Sequence, residues 1–139
     1  MIVLDTNVVS ELMRPTPYAT VLAWLNNQPA DTLWLNSVVV SELLYGVARL
    51  PDGKRRAQLA QAVQAMLSED FSGRVLSFDF EAAVVFADLV AMRERQGQPV
   101  EVADAQIASI CVAHGATLAT RNIKHFHGLG LSLVDPWVV

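Results

Sequence analysis

Three carboxylates far apart in the chain, Asp5, Glu42 and Asp104, are the residues whose type and placement point to chemistry. Asp5 ends a short apolar run at the front of the chain. Glu42 borders the apolar stripe of a helix-like stretch, and Asp104 shares a helical face with Ile107, Ala108 and Cys111. In an open parallel sheet the carboxyl ends of the strands form the ligand-binding edge, so elements in this order aim all three side chains at one end of the sheet. Carboxylates drawn out of water are costly, and two or three gathered together repel one another unless a cation fills the space between them. An oxygen-only donor set suits Mg²⁺ or Mn²⁺ and not zinc, and His114, His125 and His127 match no ligand spacing. One or two such ions activate a water and steady the charge on a phosphodiester during in-line displacement. Asp5 also has a blander reading, as the cap of the helix that follows it, and Glu101, near Asp104 in the chain, favours a helix N-terminus electrostatically.

The elements that must position these groups can be read in chain order. Ile2-Val3-Leu4 is too short for a helix and rich in β-branched residues, which gives a buried strand ending at Asp5. Val8 to Met13 is a short helix broken by Pro15 and Pro17, and Tyr18 to Asn27 is a second, with Val21, Leu22, Trp24 and Leu25 at helical spacing. Thr32 to Leu35 is a strand, and Asn36 or Ser37 caps a helix carrying Val39, Val40, Glu42, Leu43, Leu44 and Val47. After the turn Leu50 to Gly53, one long helix runs from the basic triplet Lys54-Arg55-Arg56, read as a solvated helix end, to about Asp70. Arg74 to Phe78 is a third strand. Phe80 to Gln96 is a helix with Phe80, Val84, Phe86, Ala87 and Val90 mostly on one face, suited to core or dimer contact. Val100 to His114 is the helix bearing Asp104 and stops at Gly115; Ala116 to Thr120 and Leu131 to Asp135 are the last two strands. Strands alternating with helices imply an α/β fold, a three-layer α/β/α sandwich around a parallel sheet of about five strands.

Composition narrows the function classes. With 139 residues, 53% of them hydrophobic, the chain is expected to form one domain spanning 1–139. No apolar run approaches the ~18 residues that cross a bilayer, and the strand-like start lacks the basic flank and long apolar stretch of a signal peptide, so a cytoplasmic protein without membrane contact is expected. A single cysteine, Cys111, excludes an internal disulfide and reads as a small core residue. The net charge of -4 argues against a broad basic surface for nucleic acid, but an acidic cluster that binds cations makes a protein formally acidic while the ions supply local positive charge.

Five ordered motifs carry a resemblance over nearly the whole chain. The opening Ile-Val-Leu-Asp5-Thr6-Asn7, Ser41-Glu42-Leu43, Ala103-Asp104-Ala105-Gln106-Ile107-Ala108, Leu118-Ala-Thr-Arg-Asn122 and Val134-Asp-Pro-Trp137 are similar to those of PIN-domain ribonucleases, more narrowly to VapC-type toxins of the FitB-like branch. The resemblance implies a PIN-like fold and a Mg²⁺- or Mn²⁺-dependent endoribonuclease with Asp5, Glu42 and Asp104 as ligands. The family's fourth acidic position falls on Asn122, a departure: an amide holds a water or a weakly bound second ion but adds no charge, and the lesser alternative is that Asn122 caps Ile123 to Phe126. Thr6 and Thr120 are placed to orient ligands or water, and Arg121 and Lys124 to hold phosphates, with solvated surface as the alternative for Lys124.

The resemblance further implies an RNA substrate, a cognate antitoxin protein through which alone DNA is contacted, and a homodimer. The apolar helices at 18–27 and 54–70 and the face on Phe80, Val84 and Ala87 carry more apolar surface than one small sheet covers, which agrees with those partners. An inhibiting partner helix would fill a groove near the site and pair an Arg or Lys with the carboxylates. Of the competing classes, a weakly active PIN-fold binding partner gives no reason to retain mutually repelling carboxylates. An aspartyl-phosphate hydrolase fails because Asp5-Thr6-Asn7 lacks a second aspartate two residues on.

Overall fold

In the computed structural model, which describes residues 1–139, the apolar runs become five parallel strands: β1 (Ile2–Leu4), β2 (Leu33–Asn36), β3 (Val75–Leu76), β4 (Thr117–Ala119) and β5 (Ser132–Val134). They lie in the order β3-β2-β1-β4-β5. The chain therefore builds outward from β1 through β2 to β3, crosses back, and adds β4 and β5 on the other side. The reversal falls between β1 and β4, the point at which α/β sheets open a crevice for ligands. Ile2 pairs with Leu33 on one side and Thr117 on the other, so β1 is enclosed, and Val3, Leu4, Leu118 and Ala119 are fully buried. Continuous aliphatic runs without alternation suit strands covered on both faces.

Seven helices cover the sheet: α1 (Thr6–Leu12), α2 (Ala19–Asn26), α3 (Ser37–Ala48), α4 (Lys54–Ala65), α5 (Phe80–Arg95), α6 (Val102–His114) and α7 (Ile123–Phe126). α1 packs on α2 and α3, α3 on α4 and α6, and α5 along α6. The most deeply set is α6, with Ala105 and every residue from Ile107 to Cys111 buried. It stops at Gly115, whose φ of 62° is the left-handed conformation expected of a glycine helix stop. One cluster of 22 buried residues joins sheet and helices. No helix is long and apolar enough to cross a membrane.

Three elements differ from expectation. The helix expected to reach Asp70 ends as α-helix at Ala65 and widens into a π turn over Met66–Asp70, closed by Phe71 N–H to Met66 O at 3.0 Å. The extra residue in that turn brings Met66, Leu67 and Phe71 against the core, and Arg74 ties the turn's end by donating to Asp70 O and, at 2.9 Å, to Leu33 O. The third strand shrinks to two residues because it is an edge, and Asp79 leaves the sheet to cap α5, accepting from Ala82 N–H at 3.0 Å. On α5 the expected face splits. Phe86 and Val90 pack toward the core, whereas Phe80 is 82% and Val84 51% exposed.

Candidate active site

Asp5 sits where β1 ends, at the reversal point of the sheet, and is buried. Its backbone N–H extends the ladder to Ala119 O at 2.9 Å. The capping reading of this residue holds on one oxygen, and the other faces the neighbouring strand. Oδ1 caps α1, accepting from Thr6 N–H at 2.9 Å, while Oδ2 accepts from the Thr120 hydroxyl at 2.7 Å and from Asn7 Nδ2 at 3.1 Å. Thr120, wholly buried at the end of β4, spends its one proton on Asp5; its lone pairs accept from Asn7 Nδ2 at 3.3 Å and from Asn122 N–H at 3.0 Å. Asn7 closes the lattice by accepting from Arg121 N–H through Oδ1 at 3.0 Å. The tips of β1 and β4 are thus tied by side chains as well as by the ladder.

Glu42 comes from α3, which Asn36 starts by accepting from Val39 N–H at 2.9 Å. It is exposed rather than bordering the buried stripe, a correction to the helical-spacing argument: α3 lies at the rim of the crevice, so the flank of its stripe faces solvent. One carboxylate oxygen accepts from the Thr6 hydroxyl at 2.7 Å. Asp104, in the first turn of α6, is half-buried, and its Oδ2 lies 3.2 Å from His125 Nδ1 on α7. Withdrawal of water raises the pKa of Glu42, opposed by the Thr6 hydrogen bond and reinforced by the charges of Asp5 and Asp104. The same withdrawal raises the pKa of Asp104, against the pull of His125 and with the charges of Asp5 and Glu101. The three carboxylates therefore feel one another.

That mutual repulsion and the all-oxygen donor set fit a hard divalent cation. No three His, Cys, Asp or Glu side chains close into a ready cage; the oxygens are turned instead to Thr6, Thr120, Asn7 and His125. Asp5, Glu42 and Asp104 are the residues that could hold an ion.

Of the other expected site residues, Thr6 and Thr120 join the lattice directly. Arg121 joins it through its backbone, and its guanidinium stacks over Trp137, with Cζ 4.9 Å from the ring centroid. Asn122 occupies the position before α7, but its side chain makes no capping bond and faces solvent; only its backbone reaches Thr120. Lys124 is exposed. Cys111 is fully buried, with its thiol pushed up to about 12 by burial and by Asp5, as suits a core residue. Two residues of the site were missed. Asn7 carries a signal only in standing two residues after Asp5. His125 carries none, because its partner lies on another helix.

Beside the carboxylates runs a groove of about 670 Å³ between α1, α3 and α4, with Thr6 and Glu42 at one end, Leu43, Leu59 and Val63 in its lining, and Arg55 from the basic triplet on its wall.

The chain matches the PIN domain family model over residues 2–128. It is 42% identical to the VapC ribonuclease Y4jK of Sinorhizobium fredii over 99% of this chain and 98% of that protein. It is 35% identical to the toxin FitB of Neisseria gonorrhoeae over 99% of each. Among solved structures, that of FitAB bound to an IR36 DNA fragment superposes with a TM-score of 0.93 at 34% identity, covering 100% of this chain and 97% of the other.

Proposed function

The chain belongs to the PIN-domain family, and on that premise we propose that it is a metal-dependent endoribonuclease acting as the toxin of a toxin–antitoxin pair. The observation that carries the reading is the gathering of Asp5, Glu42 and Asp104 at the reversal point of the sheet, two of them with raised pKa values through their shared charge and lost water. The naming of full-length relatives as a VapC ribonuclease and as a toxin supports it.

A bound Mg²⁺ or Mn²⁺ would supply the positive charge that makes water a competent nucleophile near neutral pH and steadies the phosphodiester during displacement. Asp5, Glu42 and Asp104 would hold it. The protein's remaining work is orientation. Thr120 and Asn7 fix the rotamer of Asp5, Thr6 holds one oxygen of Glu42, and His125 braces Asp104. Arg121 and Lys124 are proposed to contact phosphates of the strand, and Asn122, adding no charge, would leave the site with three acidic ligands. No side-chain nucleophile is required.

The protein is proposed to act in the cytoplasm as a homodimer, through the exposed apolar residues Phe80 and Val84. An antitoxin is proposed to lie in the groove beside Glu42, place a basic side chain among the carboxylates, and make the contacts with DNA. The test is incubation of purified, antitoxin-free protein with labelled RNA. Cleavage in Mg²⁺ or Mn²⁺ that stops on adding EDTA is expected, and cleavage that survives chelation refutes the metal mechanism.

A further inference from the structure

Arg121 differs from the chain's other fixed arginines in what its guanidinium leaves free. Arg14 is paired with Glu11, Arg56 with Asp52, and Arg74 and Arg93 donate to backbone carbonyls. Arg49 stacks on Tyr45 within a single helix, away from the tips of the strands. Arg121 sits at those tips. Its N–H is pinned to Asn7, which itself donates to Asp5. Its exposed guanidinium lies on the face of Trp137 and donates to no protein acceptor. The backbone that carries the ring is held in turn: Trp137 follows β5 and its backbone N–H donates to Asp135 Oδ1 at 2.9 Å, while Thr120 N–H ties β4 to Val134 O. A guanidinium held over an aromatic ring and bonded to no protein acceptor keeps its N–H groups open for the planar, two-pronged contact that phosphates accept.

We propose that Arg121 binds a phosphate of the RNA strand flanking the scissile one on the β5 side of the carboxylates, and that Trp137 is the positioning residue that holds it there. This rests on the ribonuclease reading and adds to it a direction for the strand. A chain with a net charge of -4, whose reaction centre is itself acidic, repels a polyanion. A cation on a residue whose backbone is bonded to the Asp5 lattice offsets that repulsion locally and sets the register in which a phosphodiester meets the carboxylates.

The experiment measures steady-state cleavage by the wild-type protein in Mg²⁺, together with binding of a fluorescent single-stranded oligoribonucleotide to the Glu42→Gln protein at several salt concentrations. Arg121→Gln is expected to raise KM about tenfold with kcat within about twofold, and to lower the salt slope of log Kd by about 0.7, one phosphate contact on a single strand. Trp137→Leu is expected to raise KM about threefold, as loss of an exposed cation–π contact predicts, and Trp137→Phe, which keeps a ring, less. In the Arg121→Gln background Trp137→Leu should add nothing, an outcome that a purely structural role for the ring does not give. Thermal melts identify any variant that fails to fold, and Trp137→Phe then carries the comparison. Wild-type cleavage with an Arg121→Gln variant unchanged in KM and salt slope overturns this proposal alone. An equal Trp137→Leu effect with and without Arg121 overturns the positioning role. A wild-type protein that neither cleaves nor binds RNA overturns the ribonuclease reading beneath both.

Discussion

Replacing Thr120 by Val keeps the shape of a wholly buried side chain and removes the hydroxyl that donates to Asp5 Oδ2 at 2.7 Å. The carboxylate it leaves behind is buried and keeps only Thr6 N–H and Asn7 as donors. Loss of a hydrogen bond to a charged group costs about 1.5–3 kcal/mol. The groups that donated to the hydroxyl fare better, since Asn122 is exposed and Asn7 keeps Asp5 as its acceptor. We therefore expect about 2 kcal/mol of destabilisation, a fall of roughly 6 °C in Tm at about 3 °C per kcal/mol for a chain of this size. Cleavage should fall further than stability, because Asp5 is then free to turn. Thr120→Ser is the control: it restores the donor and deletes one methyl, costing about 1 kcal/mol of packing while cleavage stays near wild type. Calorimetry and RNA cleavage on the same preparations settle the matter. If Val and Ser lose equal stability and Val cleaves normally, the hydroxyl is idle and Asp5 is not positioned as argued.

Asp5→Asn, Glu42→Gln and Asp104→Asn should each abolish most RNA cleavage in a gel assay, with double variants scarcely worse than singles, since the three act as one unit. Glu42 and Asp104 have folded-state pKa values above their unfolded ones, so their ionised forms destabilise the metal-free fold at neutral pH. That penalty is lifted as pH falls through the raised values toward the ordinary carboxylate range, so Tm in EDTA should rise from pH 7 toward pH 5, and Glu42→Gln with Asp104→Asn should flatten the profile. Asn122→Asp should lower the Mg²⁺ concentration for half-maximal cleavage in a metal titration; an unchanged titration leaves residue 122 outside the metal site. Light scattering should give a dimer for the wild type and a monomer for Phe80→Glu with Val84→Lys, and a wild-type monomer at micromolar concentration refutes the interface.

Features that depend on local periodicity were legible in the chain itself. Asp104 falls on the same helical face as Ile107, Ala108 and Cys111, and α6 places those three in the core with Asp104 at its edge. Asp5 marks the end of a strand because a β-branched run meets a capping residue there. What escaped depends on neighbours distant in sequence. Glu42 has the spacing of a half-buried residue and is exposed because α3 happens to lie at the rim of the crevice. Phe80 and Val84 have core spacing but sit on the side of α5 turned from α6 and the sheet. The π turn answers to Arg74 reaching back to Asp70, and the His125–Asp104 contact joins two helices whose approach is set by β4 between them. Helical spacing reports that a stripe exists, and only the packed fold decides which flank of it meets water.

The bond between Thr120 and Asp5 spans 115 residues. β1 precedes the other four strands in sequence and is the central one in the sheet, yet the strand that covers its second edge is the fourth in order. During synthesis β1 can pair with β2 early, and Thr6 N–H and Asn7 reach Asp5 locally, but the Thr120 hydroxyl joins them only once β4 has crossed back over the sheet. Such long-range closure is slow relative to helix formation. A chain cut before Thr117 keeps all three carboxylates but lacks the strand whose Thr120 fixes Asp5, so products truncated there should be inert.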